Sequence, residues 1–155
     1  AGGTDTRILA HPFGSAFEVV SSEGQARAWT NLTFTCDEGV TAFFAGNGGA
    51  INAVSGRVDI VDCTFTGCGA GQLGGAVFAA FLSETSSVVR TRFEGNGNEA
   101  LNLQGGAIYA TASKVDVSLV IDECSFVGNQ AENGIILSAA GMLSRCSIIS
   151  NVFNS

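Results

Sequence analysis

Gly48-Gly49-Ala50-Ile51, Gly74-Gly75-Ala76-Val77 and Gly105-Gly106-Ala107-Ile108 are copies of one tetrapeptide, and their recurrence decides the reading of the fold. Gly14-Ser15-Ala16-Phe17 and Asn133-Gly134-Ile135-Ile136 are weaker copies. Their first residues fall at 14, 48, 74, 105 and 133, a mean spacing of about 30, within the range where internal repeats mean stacked supersecondary units. A second motif interleaves with the first, anchored at Phe34, Phe65, Phe93, Phe126 and Ile148. Phe93-Glu94-Gly95-Asn96 and Phe126-Val127-Gly128-Asn129 are its full copies. Phe65-Thr66-Gly67-Cys68, Phe34-Thr35-Cys36-Asp37 and Ile148-Ile149-Ser150-Asn151 depart from it.

Working outward from the anchors, Leu32, Cys63, Thr91, Cys124 and Cys146 stand two residues earlier, and Trp29, Ile60, Val88, Ile121 and Leu143 five residues earlier. These small or apolar rows should point inward. The period of two before each anchor, with its β-branched and aromatic content, belongs to a strand. The 21 glycines and the lack of a sustained 3.6-residue pattern speak against helix. The expected fold is therefore all-β, a right-handed parallel β-helix (a solenoid) of about five coils. The chain divides as a single domain or segment over 1–155, with a partial coil at 1–28, clear repeats at 29–151 and a coil cut short at 152–155.

Asp62, Arg90, Glu123 and Arg145 lie three residues before successive anchors, so their charges alternate up an outward row. Opposite charges on neighbouring strands favour such a stack, which makes a surface charge ladder the reading of these four side chains. Asn31 belongs to the same row and opens the sequon Asn31-Leu32-Thr33, a candidate glycosylation site. Asn96, Asn129 and Asn151 form a further row at the turn, expected to hydrogen-bond along the stack as asparagines do in cross-β ladders.

Five cysteines suit an oxidising compartment, extracellular or at the cell surface, and their odd number leaves at least one unpaired. Cys36 and Cys68 occupy nearly matching turn positions of successive coils and are the expected disulfide. Cys124 and Cys146 share one inward row, where side chains in register sit near the upper limit of disulfide reach, so free buried thiols are at least as much expected there as a bond. Cys63, between Leu32 and Thr91, is read as a free core thiol. No Cys-x-x-Cys occurs and the lone His11 is remote from any cysteine in sequence, so no metal site is expected, and no cofactor.

Charged residues make up only 14% of the chain against a usual value of about 25%, and the net charge is -7. With six Arg and one Lys there is no basic stripe for phosphates, which sets nucleic acid aside as a partner. No apolar run is long enough to span a bilayer as a helix, so no membrane insertion is expected. Asp59 with Asp62, and Asp116 with Asp122 and Glu123, are the local carboxylate clusters. Two-carboxylate hydrolysis needs side chains about 5 to 9.5 Å apart across the scissile bond. These clusters lie two coils apart, roughly 10 Å, and no catalytic residue is nominated. Thr33, Thr35, Thr64 and Thr66 stack as a Thr-x-Thr pair, but Arg92 and Glu94 interrupt the array before it could form an ice-binding face.

The Gly-Gly-Ala-Ile and Phe-x-x-Asn motifs, from about Trp29 to Asn151, resemble the repeats of chlamydial polymorphic membrane proteins and related secreted surface proteins. That resemblance implies a right-handed β-helical passenger with a role in adhesion or surface display. The functional expectation is a non-enzymatic extracellular structural protein, a self-assembling fibre subunit or scaffold segment. The expected partners are copies of itself or further β-helix repeats, with glycans or a host surface next. An adhesin-like binding module of a longer surface protein is the alternative reading, and a polysaccharide-active enzyme the third.

Overall fold

A computed structural model describes residues 6–10, 17–20, 26–36, 46–97, 104–134, 136–138 and 141–153. His11, Asp37, Ile135 and the opening residues Gly14, Ser15 and Ala16 of the first weak repeat lie outside them. The described residues form seventeen strands and no helix. In chain order the first six are β1 (Thr6–Ala10), β2 (Phe17–Val20), β3 (Ala26–Thr30), β4 (Leu32–Cys36), β5 (Ile51–Val61) and β6 (Thr64–Thr66). Next come β7 (Val77–Leu82), β8 (Ser86–Val89), β9 (Arg92–Glu94), β10 (Ile108–Ala112), β11 (Leu119–Asp122) and β12 (Ser125–Val127). The last are β13 (Gln130–Ala131), β14 (Ile136–Ser138), β15 (Gly141–Ser144), β16 (Ser147–Ile149) and β17 (Val152–Phe153).

The tetrapeptide repeat supplies the turn that launches a strand. Gly74 holds φ at 65°, a conformation that costs a residue with a Cβ, and a Cβ on Gly75 would overlap the carbonyl of Gly106 in the next pass of the chain. Ala76 and Val77 then enter the core and open β7. Within the strands, burial alternates with the expected period, as in β6, β11 and β12.

All strand pairs are parallel, but they do not form the expected β-helix of about five coils. They form two principal sheets. One has six strands in the order β1-β4-β6-β9-β12-β16. The other has nine strands, running β14-β10-β7-β5-β8-β11-β15 with β2 and β3 both paired to β5, and it curls as a half-barrel. A separate two-stranded pair joins β13 to β17. The curl has a local cause in β5. Its first part, from Ile51, pairs with β2 and β7, and its second, from Arg57, pairs with β3 and β8. Between them Ser55 and Gly56 take φ of 67° and 85°, so the strand bends without losing its ladder and fuses what the repeat pattern implied were separate faces.

The two sheets bury one continuous apolar cluster. The nine-stranded sheet contributes Ile51, Ile60, Val77, Val88, Ile108, Leu119 and Ile121, and the six-stranded sheet contributes Phe34, Phe65, Phe93 and Phe126. These four phenyl rings stack face to face, with centroids 4.6, 4.9 and 4.9 Å apart and planes within 4° of parallel. The spacing is that of neighbouring strands, so sheet register sets the aromatic geometry. Ile148 stands in register with Phe126 but does not join the buried row: it is 54% exposed. The expectation of a core anchor fails there because β16 is the outermost strand of its sheet, and no described strand covers its far side.

Candidate functional site

The side chains with chemistry to offer line the corners between the sheets. Asn31, Asp62, Arg90, Glu123 and Arg145 all hold left-handed backbone, with φ between 47° and 55°. This conformation costs an L-residue about 1–2 kcal/mol, and tertiary structure holds it in place here. Each of the first four donates its backbone N–H to a carbonyl of the next pass, for example Asp62 to Val89 at 3.1 Å and Arg90 to Asp122 at 3.0 Å. At the last four corners the side chain of the following residue reaches back two residues, Cys63 to the carbonyl of Val61, Thr91 to Val89, Cys124 to Asp122 and Cys146 to Ser144, whereas Leu32 after Asn31 carries no donor. Thr91 Oγ1 also accepts from the Cys63 N–H at 3.3 Å. This back-bonding explains why four of the five positions of the row take Cys or Thr, and it was not legible from residue size alone.

The four charged corner residues are exposed and resolve into two pairs. Arg90 donates from Nε and Nη2 to both carboxylate oxygens of Asp62, at 2.7 and 2.8 Å. Arg145 lies 3.4 Å from Glu123, but its bidentate partner is Asp122, a residue outside the expected row. Arg90 and Glu123 attract each other at longer range. Hydrogen bonding to the guanidinium of Arg90 holds the Asp62 carboxyl below its ordinary range, and Arg145 does the same for Asp122. Surface ion pairs of this kind contribute little to stability. Asn31 is exposed at its corner, a position a glycan could reach.

A different row is hydrogen-bonded along its length, and two of its three members are buried. Asn96 and Asn129 are 0% exposed. The Asn129 Oδ1 accepts from both the N–H and the Nδ2 of Asn96, each at 2.9 Å, while its own Nδ2 donates to the Phe93 carbonyl at 3.1 Å and to Asn151 Oδ1 at 3.0 Å. Asn151 Nδ2 continues to the carbonyl of Phe126 at 3.1 Å. On the other side, Asn96 Oδ1 accepts from the Cys68 N–H and Asn96 Nδ2 donates to the Phe65 carbonyl, both at 3.0 Å. Cys68 holds the place of an asparagine in its repeat, and there a covalent bond takes over: Cys36 and Cys68 are joined as a disulfide with Cα atoms 4.8 Å apart. Cys63, Cys124 and Cys146 are free. Burial pushes the Cys63 thiol up, and that of Cys124 to about 12.

The carboxylates do not converge. Asp59 is held by Arg57 at 2.7 Å and by the Ser87 hydroxyl at 2.7 Å, while Asp62 and Asp122 are engaged by arginines. Asp116 is exposed beside Lys114. Among the described residues there is no group of three or more His, Cys, Asp or Glu placed to hold a metal. Thr33 and Thr35 pair with Thr64 and Thr66, and the next strand then places Arg92 and Glu94 there, ion-paired at 2.9 Å.

Both edges of the six-stranded sheet carry a signal that the anchors alone did not reveal. In the register column where the inner strands β4, β6 and β9 place Thr35, Thr66 and Glu94, Val127 and Ile149 follow toward one edge and Leu9 stands at the other. In the anchor row the outer strands place Ile8 and Ile148 on either side of four phenylalanines. Ile149, like Ile148, is 54% exposed. Comparison of the chain with protein-family models, curated proteins and solved structures found no match, so the functional reading rests on this geometry.

Proposed function

We propose that the protein is a non-enzymatic structural scaffold that assembles end to end with further copies of itself, outside the cell or at its surface. The observation that carries this reading is the match between the two outer strands of the six-stranded sheet. If β1 of one copy adds in parallel to β16 of another in the register used throughout the sheet, Ile8 lies beside Ile148 and Leu9 beside Ile149. Edge strands present unpaired N–H and C=O groups, and those that avoid self-association usually carry charge or proline. β1 carries one charge, Arg7, and β16 none, while Leu9 and Ile149 place aliphatic residues at matching register positions of the two edges. In the curled sheet β2 and β3 lie toward the β1 end and β14 and β15 toward the β16 end, so the same step would bring three strand pairs together. A contact between opposite edges does not close on itself and yields filaments. The Cys36–Cys68 bond supports an oxidising compartment. The engagement of Asp59, Asp62 and Asp122 by arginines supports a role without hydrolytic chemistry.

Light scattering across a concentration series, followed by imaging of particle length, tests the proposal. Wild-type protein is expected to form particles that lengthen with concentration. Ile149→Lys, which puts on the outermost strand the charged residue that natural edge strands use against strand addition, is expected to weaken association by about tenfold, ~1.4 kcal/mol. Its circular dichroism should stay that of the wild type. Wild-type chains that remain monomeric at every concentration would overturn the reading, as would an Ile149→Lys variant that assembles equally well.

A further inference from the structure

Cys124 and Cys146 occupy the same corner of adjacent passes. Before them Asp122 pairs with Ser144, and after them Ser125 pairs with Ser147, so the two cysteines are in register one strand spacing apart. Ladder hydrogen bonds close on both sides of the pair, from the Glu123 N–H to the Ser144 carbonyl at 3.1 Å and from the Ser147 N–H to the Cys124 carbonyl at 2.9 Å. That fixes their Cα atoms about 4.8 Å apart, inside the range of roughly 4.4–6.8 Å over which a disulfide can close. The same chain bridges neighbouring passes at that separation between Cys36 and Cys68. Each thiol contacts two carbonyls, Cys124 Sγ those of Asp122 at 3.2 Å and Val88 at 3.4 Å, and Cys146 Sγ those of Ser144 at 3.1 Å and Ile121 at 3.6 Å, but a thiol is a weak donor and a disulfide gives up little by replacing these bonds. Cys63 shares the row, but Thr91 stands between it and Cys124.

We propose that Cys124 and Cys146 are a second, oxidisable cysteine pair, which closes to a disulfide by exchange with a small-molecule disulfide and fastens β16 to β12 as Cys36–Cys68 fastens β4 to β6. The order of events follows from the surroundings. Cys146 is only half-buried at the corner that leads into the outermost strand, whereas Cys124 is buried and its thiol is pushed up to about 12. The Cys146 thiolate therefore attacks first, forming a bond to one sulfur of the small disulfide and expelling the other as a thiolate. Cys124 then loses its proton and attacks the Cys146 sulfur, breaking the mixed disulfide and expelling the second small thiolate. The two protein thiols are oxidised by two electrons, the small disulfide is reduced to two thiols, and the two protons pass to the leaving thiolates. Four of the five cysteines thus fall into pairs near the two ends of the phenylalanine stack, and Cys63 is the one left over. This site does not depend on end-to-end assembly.

The test is treatment of the folded protein with oxidised glutathione, then alkylation under denaturing conditions, intact mass measurement and peptide mapping. The alkylatable thiols should fall from three to one, with a Cys124–Cys146 linked peptide and no retained glutathione. Cys124→Thr, which reproduces the back-bonding side chain of Thr91, should trap a stable glutathione adduct on Cys146. Three thiols still alkylatable in the wild type, or an adduct on wild-type Cys146 that never resolves, would overturn the proposal. So would a linked peptide joining Cys63 to either partner.

Discussion

Replacing Phe93 with alanine is expected to destabilise the protein by about 3–5 kcal/mol, the cost of emptying a fully buried aromatic site whose walls cannot collapse. Phe93 is 0% exposed and has a phenyl ring on each side, Phe65 and Phe126, both 4.9 Å away. Those rings are held by parallel ladders on β6 and β12, so they cannot close the gap without shifting strand register. Two stacked contacts, each contributing about 0.5–1.5 kcal/mol beyond area burial, are lost together with the buried surface. Ile148→Ala is the matched control. It alters the same row in the same sheet, but at a side chain already 54% exposed, and should cost less than about 1 kcal/mol. Urea unfolding of the two variants, analysed with a common slope, measures the difference. Equal effects at Phe93 and Ile148 would mean that the row is not a continuous buried stack.

The contrast between these two positions shows how far the sequence could be read. An in-register parallel stack repeats like residues at one period, so the phenylalanine row, the asparagine row and the neighbouring turn cysteines stand out as columns once the chain is aligned on its anchors. The path of the chain between columns is another matter. Ser55-Gly56 bends β5 while keeping it hydrogen-bonded on both sides, and nothing in that dipeptide distinguishes such a bend from a turn that ends a strand. The regular β-helix inferred from the repeat spacing gave way to a flatter sheet and a curled one for that reason. Ile148 illustrates a second limit: a column is visible in sequence, but the exposure of its last member depends on what lies beyond the outer strand. The charge row illustrates a third. Left-handed corners redirect the side chains they carry, so Arg145 reaches Asp122 rather than pairing only with the corner residue in its own column. In the asparagine row, sequence gave the alignment but not the burial, and burial is what turns a turn residue into a structural one.

Replacing Asn129 with alanine should therefore rank beside Phe93→Ala, although no ring is lost. Its carboxamide is the acceptor for the Asn96 N–H and the donor to the Phe93 carbonyl, and Asn96 and Phe93 are both 0% exposed. Alanine leaves that donor and that acceptor without a partner in a place too tight for easy hydration. At about 1–3 kcal/mol for each orphaned group, the expected cost is about 2–6 kcal/mol. The Asn96 side chain also loses its link to Asn129 Oδ1, which loosens the group that caps the Cys68 N–H and the Phe65 carbonyl one pass away. Asn151→Ala removes an analogous set of bonds, to the Asn129 N–H and the Phe126 carbonyl, but from a half-buried position in the outermost pass where water can replace them. It should cost about half as much or less. Urea midpoints give the ranking, and amide exchange at Asn96 reports the mechanism: its protection should fall in Asn129→Ala well before global unfolding, and stay near wild type in Asn151→Ala. Unchanged Asn96 protection in the first variant would show that the ladder is a consequence of the stacking and not one of its causes.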